Sequence, residues 1–315
     1  MSVPGWARAG ARAAGYRVLG PRLAYLLHTR PAEWPIMTAH TALGYVVAVG
    51  VGGASRGERL EAALLGVAAW VVGLNGGTLA INSAFDRDEG DIAYLRAPPP
   101  PPRHLFRFGL GLMAAGFGAA LALTPAYTAA YALCLVLSLL YSVPPARLKA
   151  VPGADWLINM WGFGTLTPFA GWAATGVPLT RAGGLVLLAF CPLFAALYPL
   201  TQLYQMEEDR RRGDRTLALR LGTRASLTAA ALCATVSFTL LAAAGAAAGW
   251  RTGGRDLLRW AALLLAAVVW AAVLGPWLAG PARWTPARHQ RGMYLALAAW
   301  AVTDLVVALA WGTEA

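Results

Sequence analysis

Charge is what this sequence has least of. Only 13% of its 315 residues are charged, and Asp and Glu together number 15. Soluble domains carry about a quarter charged residues. With 58% hydrophobic residues and a mean hydropathy of +0.53, a soluble core could not hide the apolar surface. The bilayer can serve as solvent instead. Lysine is almost missing: of the 26 basic residues only Lys149 is a lysine. Cysteine is scarce as well. Cys134, Cys191 and Cys233 each sit alone in an apolar run. That excludes a disulfide framework or a cysteine metal site and makes them small core residues. The N-terminus has no clean apolar core followed by a small-residue cleavage site, so no removable signal peptide is expected.

What is present is apolar length. A helix needs roughly 20 apolar residues to cross the hydrocarbon. Windows of that kind run over 35–54, 60–85, 108–124, 126–142, 154–176, 183–205, 225–249, 257–280 and 292–312. A turn near Thr124 and Pro125 makes a tight hairpin of the third and fourth. The expected fold is an all-α integral membrane protein of about nine transmembrane helices around a central cavity. A basic cytoplasmic arm, 1–34, precedes a single domain, 35–312.

The net charge of +11 raises the question of nucleic acid. The arginines fall in short gaps between apolar runs and form no single basic face, so no nucleic acid is expected. They report topology. Twenty of the 26 basic residues fall on the side of the N-terminus and six on the other. By the positive-inside rule the N-terminus is cytoplasmic, the protein resides in the cell (inner) membrane, and the C-terminus lies outside. Pro98–Pro102 is five consecutive prolines, read as a stiff extended loop after the second span.

More than half of the acids fall in two short segments, each at the cytoplasmic end of an even-numbered span. NSAFDRDEGD, Asn82–Asp91, aligns without gaps on QMEEDRRRGD, Gln205–Asp214. The shared pattern is [N/Q]-x-x-x-D-R-x-x-G-D, an internal pseudo-repeat. Asn75, Asn82, Asp86 and Glu89 are spaced to share one helix face, and so are Gln202, Gln205 and Asp209. Amide and carboxylate oxygens on two facing helix ends make hard ligands suited to Mg²⁺. The plain alternative is loop charge solvated at the membrane surface.

These residues resemble the UbiA-type intramembrane prenyltransferases. Gly76–Asp91 is similar to the family's N-x-x-x-D-x-x-x-D signature, and Glu207–Gly222 to its second signature with the T-L and L-G tail. YSVPPARLK, Tyr141–Lys149, and RPAEW, Arg30–Trp34, resemble segments after span 4 and before span 1. Two departures stand out. The second Asp of the first motif falls at Gly90, among Asp88, Glu89 and Asp91, and the first Asp of the second motif falls at Gln205.

The resemblance implies a Mg²⁺-dependent transferase that ionises a prenyl diphosphate and passes the prenyl group to a small aromatic or lipophilic acceptor, as in quinone biosynthesis. It implies metal binding by Asn82, Asp86, a neighbouring acid (Asp88, Glu89 or Asp91), Gln205 and Asp209, with Asp86 and Asp209 central to catalysis. Arg147, Lys149 and Arg210 are the implied diphosphate donors; for Lys149 a positive-inside anchor is the alternative. Aromatic faces would shield the allylic cation, with Trp161, Phe163, Phe169 and Trp172 as candidates along span 5. Asn75, Tyr141, Asp155, Asn159 and Gln202 would complete an acceptor or cation pocket. Asp155 and Asn159 equally suit a local cap or an interhelical bond. Asp304, inside span 9, must be partnered or protonated. A terpene cyclase of the same fold is a second reading. A transporter is disfavoured because its site would lie near the midplane, whereas both acidic segments lie at one face.

Overall fold

A backbone inside hydrocarbon must satisfy its own N–H and C=O groups, and a helix does so within one segment. The computed structural model describes residues 5–53, 57–86, 92, 95–212, 216–280 and 285–312, and Asp88, Glu89, Asp91 and Asp214 lie outside them. Among the described residues every regular element is helical, apart from an isolated bridge between Ile92 and Leu95.

The arm folds as α1 (Gly5–Leu19) and α2 (Leu23–His28). The apolar runs then give α3 (Trp34–Val49), α4 (Gly57–Ala68) continuing into α5 (Gly77–Asp86), α6 (Leu105–Ala120) and α7 (Pro125–Ser142). After a loop come α8 (Ala154–Asn159) continuing into α9 (Thr167–Ala174), α10 (Arg181–Leu203) and α11 (Met206–Arg212). The last three are α12 (Leu217–Ala247), α13 (Gly254–Ala279) and α14 (Pro286–Trp311).

Six of these helical runs are long and apolar enough to cross a membrane: Arg59–Asp86, Pro125–Ser142, Arg181–Leu203, Leu217–Ala247, Gly254–Ala279 and Pro286–Trp311. The chain is a multi-pass membrane protein. Three of the nine sequence windows are built differently. Gly50, with φ of 73°, ends α3 before the apolar run stops, leaving a helix of 16 residues. α6 likewise has 16 residues, because Leu121–Leu123 enter the turn that Thr124 closes. The window 154–176 is broken by π-helical turns over Met160–Leu166.

Helix starts follow the sequence closely. Thr124, Thr180, Thr216 and Thr285 each stand just before a helix, and their hydroxyls accept the N–H of Tyr127, Gly183, Leu219 and Arg288. Pro125 and Pro286 follow two of these caps, where a missing N–H costs nothing. Pro98–Pro102 forms no helix or strand. The arm straps this segment down: the Arg12 guanidinium donates to the Ala97 carbonyl at 2.7 Å, and His28 Nε2 lies 3.0 Å from the Pro99 oxygen.

Buried apolar residues form two large clusters. One joins α10, α12, α13 and α14 around Phe190, Leu227, Trp270 and Trp277; the other joins α4–α5, α6 and α7 around Trp70, Tyr127 and Tyr131. Helices α3 and α9 contribute to both and cross at small residues. A Cβ on Gly44 would overlap the Pro168 carbonyl oxygen, and one on Gly171 would overlap that of Thr41. Small residues allow such close backbone approach where lipid provides no hydrophobic drive.

This crossing sets a stability prediction. Gly44→Ala should lower the thermal unfolding midpoint in detergent, since overpacking costs about 1–3 kcal/mol. Gly118→Ala, where an added Cβ meets only open space, should leave it unchanged. Equal midpoints for both variants would show that α3 and α9 are not in tight contact.

Candidate active site

The first acidic segment ends α5. Asn82 and Asp86 are one helical turn apart, so their side chains emerge on the same face. The loop between α7 and α8 folds over them. Arg147 adopts a left-handed conformation (φ 35°), and the following 3-10 turn, Leu148–Ala150, turns the chain back. Lys149 thereby reaches both residues. Its Nζ donates to Asn82 Oδ1 at 2.9 Å and pairs closely with Asp86 Oδ1. Arg147 Nη2 adds a contact of 3.3 Å to the same carboxylate oxygen. Ser142 donates to Asn82 Oδ1 at 3.3 Å from the end of α7.

The second acidic segment spans the break between α10 and α11. The Asp209 N–H donates to the Gln205 carbonyl at 2.8 Å, and Asp209 is only 7% exposed between exposed neighbours Glu208 and Arg210. Arg210 does not face inward: it pairs with Glu207 at 2.7 Å, and both are 62% exposed. Gln202 is engaged at both ends. Its Oε1 accepts the Ala218 N–H at 3.0 Å, near the start of α12, and its Nε2 lies 3.5 Å from Asp155 Oδ2.

Between the two segments lies a buried polar network. Asp155 accepts the Gly153 N–H on Oδ1 at 2.8 Å and the Tyr198 hydroxyl on Oδ2 at 3.0 Å. Asn159 Nδ2 donates to the Asp155 carbonyl at 2.7 Å, and Tyr141 lies close to Asn159 and Tyr198. Tyr141 precedes Ser142, which donates to Asn82. The contacts of Asp155 thus join α8 to α10 through Tyr198 and Gln202.

The network extends into rings. Tyr198 lies 6.4 Å from Phe194, which stacks on Phe163 (5.3 Å, 13°) and meets Trp300 edge-on at 5.7 Å. Trp161 is outside this set, 42% exposed; two residues after Asn159, it falls on the opposite side of the helix. Trp172 is buried elsewhere, donating to Val177, and Phe169 packs between the two clusters. Asn75 lies near the end of a second π-helical stretch, Ala69–Gly76; its buried Nδ2 has no hydrogen-bond partner among the described residues. Asp304 is partnered, by His40 Nδ1 at 3.1 Å and by Trp300 Nε1 at 3.2 Å.

Tyr198 was not singled out by sequence reasoning, though it carried a signal, since it sits one turn before Gln202 on the same face. Ser142, Arg30 and Glu33 were noted only as parts of the segments Tyr141–Lys149 and Arg30–Trp34. Arg30 is buried and close enough to Tyr141 to act on it electrostatically.

The donor set can be tested against Mg²⁺. Among the described residues no group of three or more His, Cys, Asp or Glu converges. Mg²⁺ does not need one, since it takes one or two carboxylates and fills its octahedron with water and phosphate oxygens. Asn82 and Asp86 converge on a single cation, the Lys149 ammonium, which stands in for a metal at two hard oxygens. The residues fit the ion.

The sequence model of the UbiA prenyltransferase family matches residues 39–298. The digeranylgeranylglyceryl phosphate synthase of Methanopyrus kandleri is 34% identical over 257 residues, 79% of this chain and 90% of that protein. A probable chloroplastic homogentisate phytyltransferase 2 of Oryza sativa subsp. japonica is also 34% identical, over 122 residues, but the match spans only 37% of this chain and 31% of the rice protein. Among solved structures, a digeranylgeranylglyceryl phosphate synthase superposes with a TM-score of 0.70 at 14% identity, covering 93% of this chain and 98% of that one. A UbiA homolog from Archaeoglobus fulgidus bound to GPP and Mg²⁺ gives 0.64 at 18% identity, covering 90% and 99%.

The start of α3 yields a pH prediction. Burial pushes the Glu33 carboxyl up from 4.5 to about 7, against a smaller opposing pull from Arg30. The folded protein thus holds this proton more tightly than the unfolded chain does. Its contribution to stability is fully present below pH 4.5 and is lost as pH rises through about 7. The unfolding midpoint of the wild type should fall relative to Glu33→Gln across that window. A constant offset between the two proteins would show that Glu33 ionises like an exposed glutamate.

Proposed function

The chain belongs to the UbiA prenyltransferase family, and we propose that it ionises a prenyl diphosphate with Mg²⁺ and hands the prenyl group to an aromatic or other lipid-pathway acceptor. One observation carries this reading: the Asn82 and Asp86 oxygens are preset around a cation, the Lys149 ammonium. The Archaeoglobus homolog bound to GPP and Mg²⁺, and the relative named as a digeranylgeranylglyceryl phosphate synthase, support it.

Bound at Asn82 and Asp86 and at Gln205 and Asp209, Mg²⁺ would neutralise charge on the departing diphosphate. The chain's own residues do the rest. Lys149 and Arg147 supply donors to phosphate oxygens. Arg210 is the more distant helper, because it must first leave Glu207. Phe163, Phe194 and Trp300 offer ring faces and edges along the path of an isoprenoid tail and exclude water from the cation. Asp155, held by Tyr198 and Gln202, fixes Asn159 and Tyr141 at the wall where an acceptor would be oriented.

Asp86→Ala and Asp209→Ala should each abolish turnover, and the double variant should be no worse than either, as for groups acting as a unit. Chelator should remove activity and Mg²⁺ restore it. The check is mass spectrometry of products from purified protein given a panel of prenyl diphosphates and acceptors. Near-normal turnover in folded Asp209→Ala would remove the second segment from the site.

The reading includes nine membrane passages in the inner membrane, with the arm and both acidic segments cytoplasmic; the basic asymmetry supports it. Single cysteines replacing His104 and Gly253, both exposed, should label from opposite sides in a background where Cys134, Cys191 and Cys233 are replaced. An impermeant thiol reagent outside the cell should reach position 253 and not 104. The reverse pattern would invert the topology.

A further inference from the structure

The rings that face the proposed tail path also end it. Phe194 projects from α10 into the bundle. It stacks on Phe163 of span 5 at 5.3 Å, meets Trp300 of α14 edge-on at 5.7 Å, and adjoins Tyr198, whose hydroxyl donates to the buried Asp155. Phe163, Phe194 and Tyr198 keep part of their surface exposed, and these contacts turn that surface inward. One turn deeper on α10 the exposure vanishes. Phe190 is 1% exposed, His40 of α3 is 3% and Trp300 is 6%. The centroids of these three rings lie 4.9, 5.0 and 5.6 Å apart. His40 seals the layer: its Nε2 faces the Gly164 carbonyl at 3.2 Å and its Nδ1 faces Asp304 at 3.1 Å. Gly164 packs so closely there that a Cβ on it would overlap the Phe190 carbonyl oxygen. Helices α3, α10 and α14 and the π-helical turns of span 5 thus close on one point.

We propose that this layer is the floor of the prenyl-tail chamber, and that Phe194, with Phe163 and Trp300, makes the protein selective for short-chain prenyl diphosphates. The inference rests on the prenyl diphosphate reading above. The depth follows from α10. Gln202 lies three residues before the second acidic segment, and Phe194 lies eight residues before Gln202. Eight residues of helix rise about 12 Å, room for about two isoprene units. A geranyl tail fits that depth; a geranylgeranyl tail, twice as long, meets the floor. The floor does not yield easily, because its rings are close-packed from several spans and transmit strain between them. Moving them would also open the bonds of His40 to two other spans, inside hydrocarbon.

The test is native mass spectrometry of the full chain released from detergent micelles. The protein is given Mg²⁺ and an equimolar mixture of geranyl, farnesyl and geranylgeranyl thiolodiphosphates, which resist ionisation, and each bound length is read by its own mass. A tail free to extend would bind more tightly with every added unit, because burial grows with apolar area. The floor reverses that order. Wild type should carry the geranyl analogue at least about tenfold over the geranylgeranyl one, since even one surplus methylene in a fitted pocket costs that much. Phe194→Ala should bring the geranylgeranyl analogue level with the geranyl one or above it. Phe194→Leu, a milder change that serves if the alanine variant does not fold, should shift the ratio the same way by less. Phe117→Ala, in the other apolar cluster, should keep the wild-type order.

Wild type that binds the geranylgeranyl analogue as well as the geranyl one would overturn the floor and leave the function standing, with the tail passing out between spans. So would a wild-type order kept by every folded Phe194 variant. An equal shift in Phe117→Ala would overturn it too, by reducing the effect to general loosening. If wild type carries none of the three analogues, the proposed function itself falls.

Discussion

A backbone polar group in this bundle gains most from a partner inside it, because the hydrocarbon offers none. The prolines make the constraint visible. Pro168 has no N–H to give the Gly164 carbonyl, four residues back, and His40 Nε2 faces that oxygen at 3.2 Å instead. Pro199 leaves the Ala195 carbonyl in the same state, and the Trp156 indole takes it at 2.9 Å. Each repair ties one span to another. His40 links α3 to the π-helical turns of span 5 and, through its other nitrogen, to Asp304 on α14. Trp156 links α8 to α10. Broken helices and buried polar side chains are thus one feature, and it fixes how the two halves of the bundle meet.

The candidate site obeys the same rule with charge added. A carboxylate at the edge of the hydrocarbon cannot stand alone, so each one described near the site has a partner. Asp86 has Lys149 and Arg147; Asp155 has a backbone N–H, a tyrosine and an amide. The two are partnered differently, and the difference separates their work. The partners of Asp155 are the Gly153 N–H and two side chains of the packed helix α10, which suits a rigid wall. The partners of Asp86 are long cations from a loop, which suits a place that must open to other ions.

Much of this was legible in the sequence, for reasons that particular residues show. Asn82 and Asp86 stood out because acids are rare in the chain and one helical turn separates the pair. Lys149 stood out as the single lysine. Thr124 and Pro125 marked the turn between the third and fourth apolar runs. What escaped notice depends on contacts between distant segments. The segment Arg30–Trp34 stood out, but not that Arg30 is buried near Tyr141, and Tyr198 reads as one more aromatic in an apolar span. The π-helical turns over Ala69–Gly76 and Met160–Leu166 were also silent. An added residue per turn rotates everything beyond it, and periodicity counted at the α-helical interval carries the error forward.

The pseudo-repeat then takes on a physical meaning. Asn82 and Gln205 occupy equivalent places one turn before an aspartate, yet they sit on different backbones. Asn82 lies in a continuous helix whose last turn is intact, so its amide oxygen is held beside Asp86 and can accept from Ser142 and Lys149 at once. Gln205 lies in the break between α10 and α11, where its backbone is held by its N–H on the Gln202 carbonyl and by the Asp209 N–H on its own carbonyl. A longer amide at a helix break reaches further and with less preset geometry than a short one on an intact turn. Sequence symmetry therefore becomes structural asymmetry: one half-site arrives formed around an internal cation, and the other must be completed by what binds.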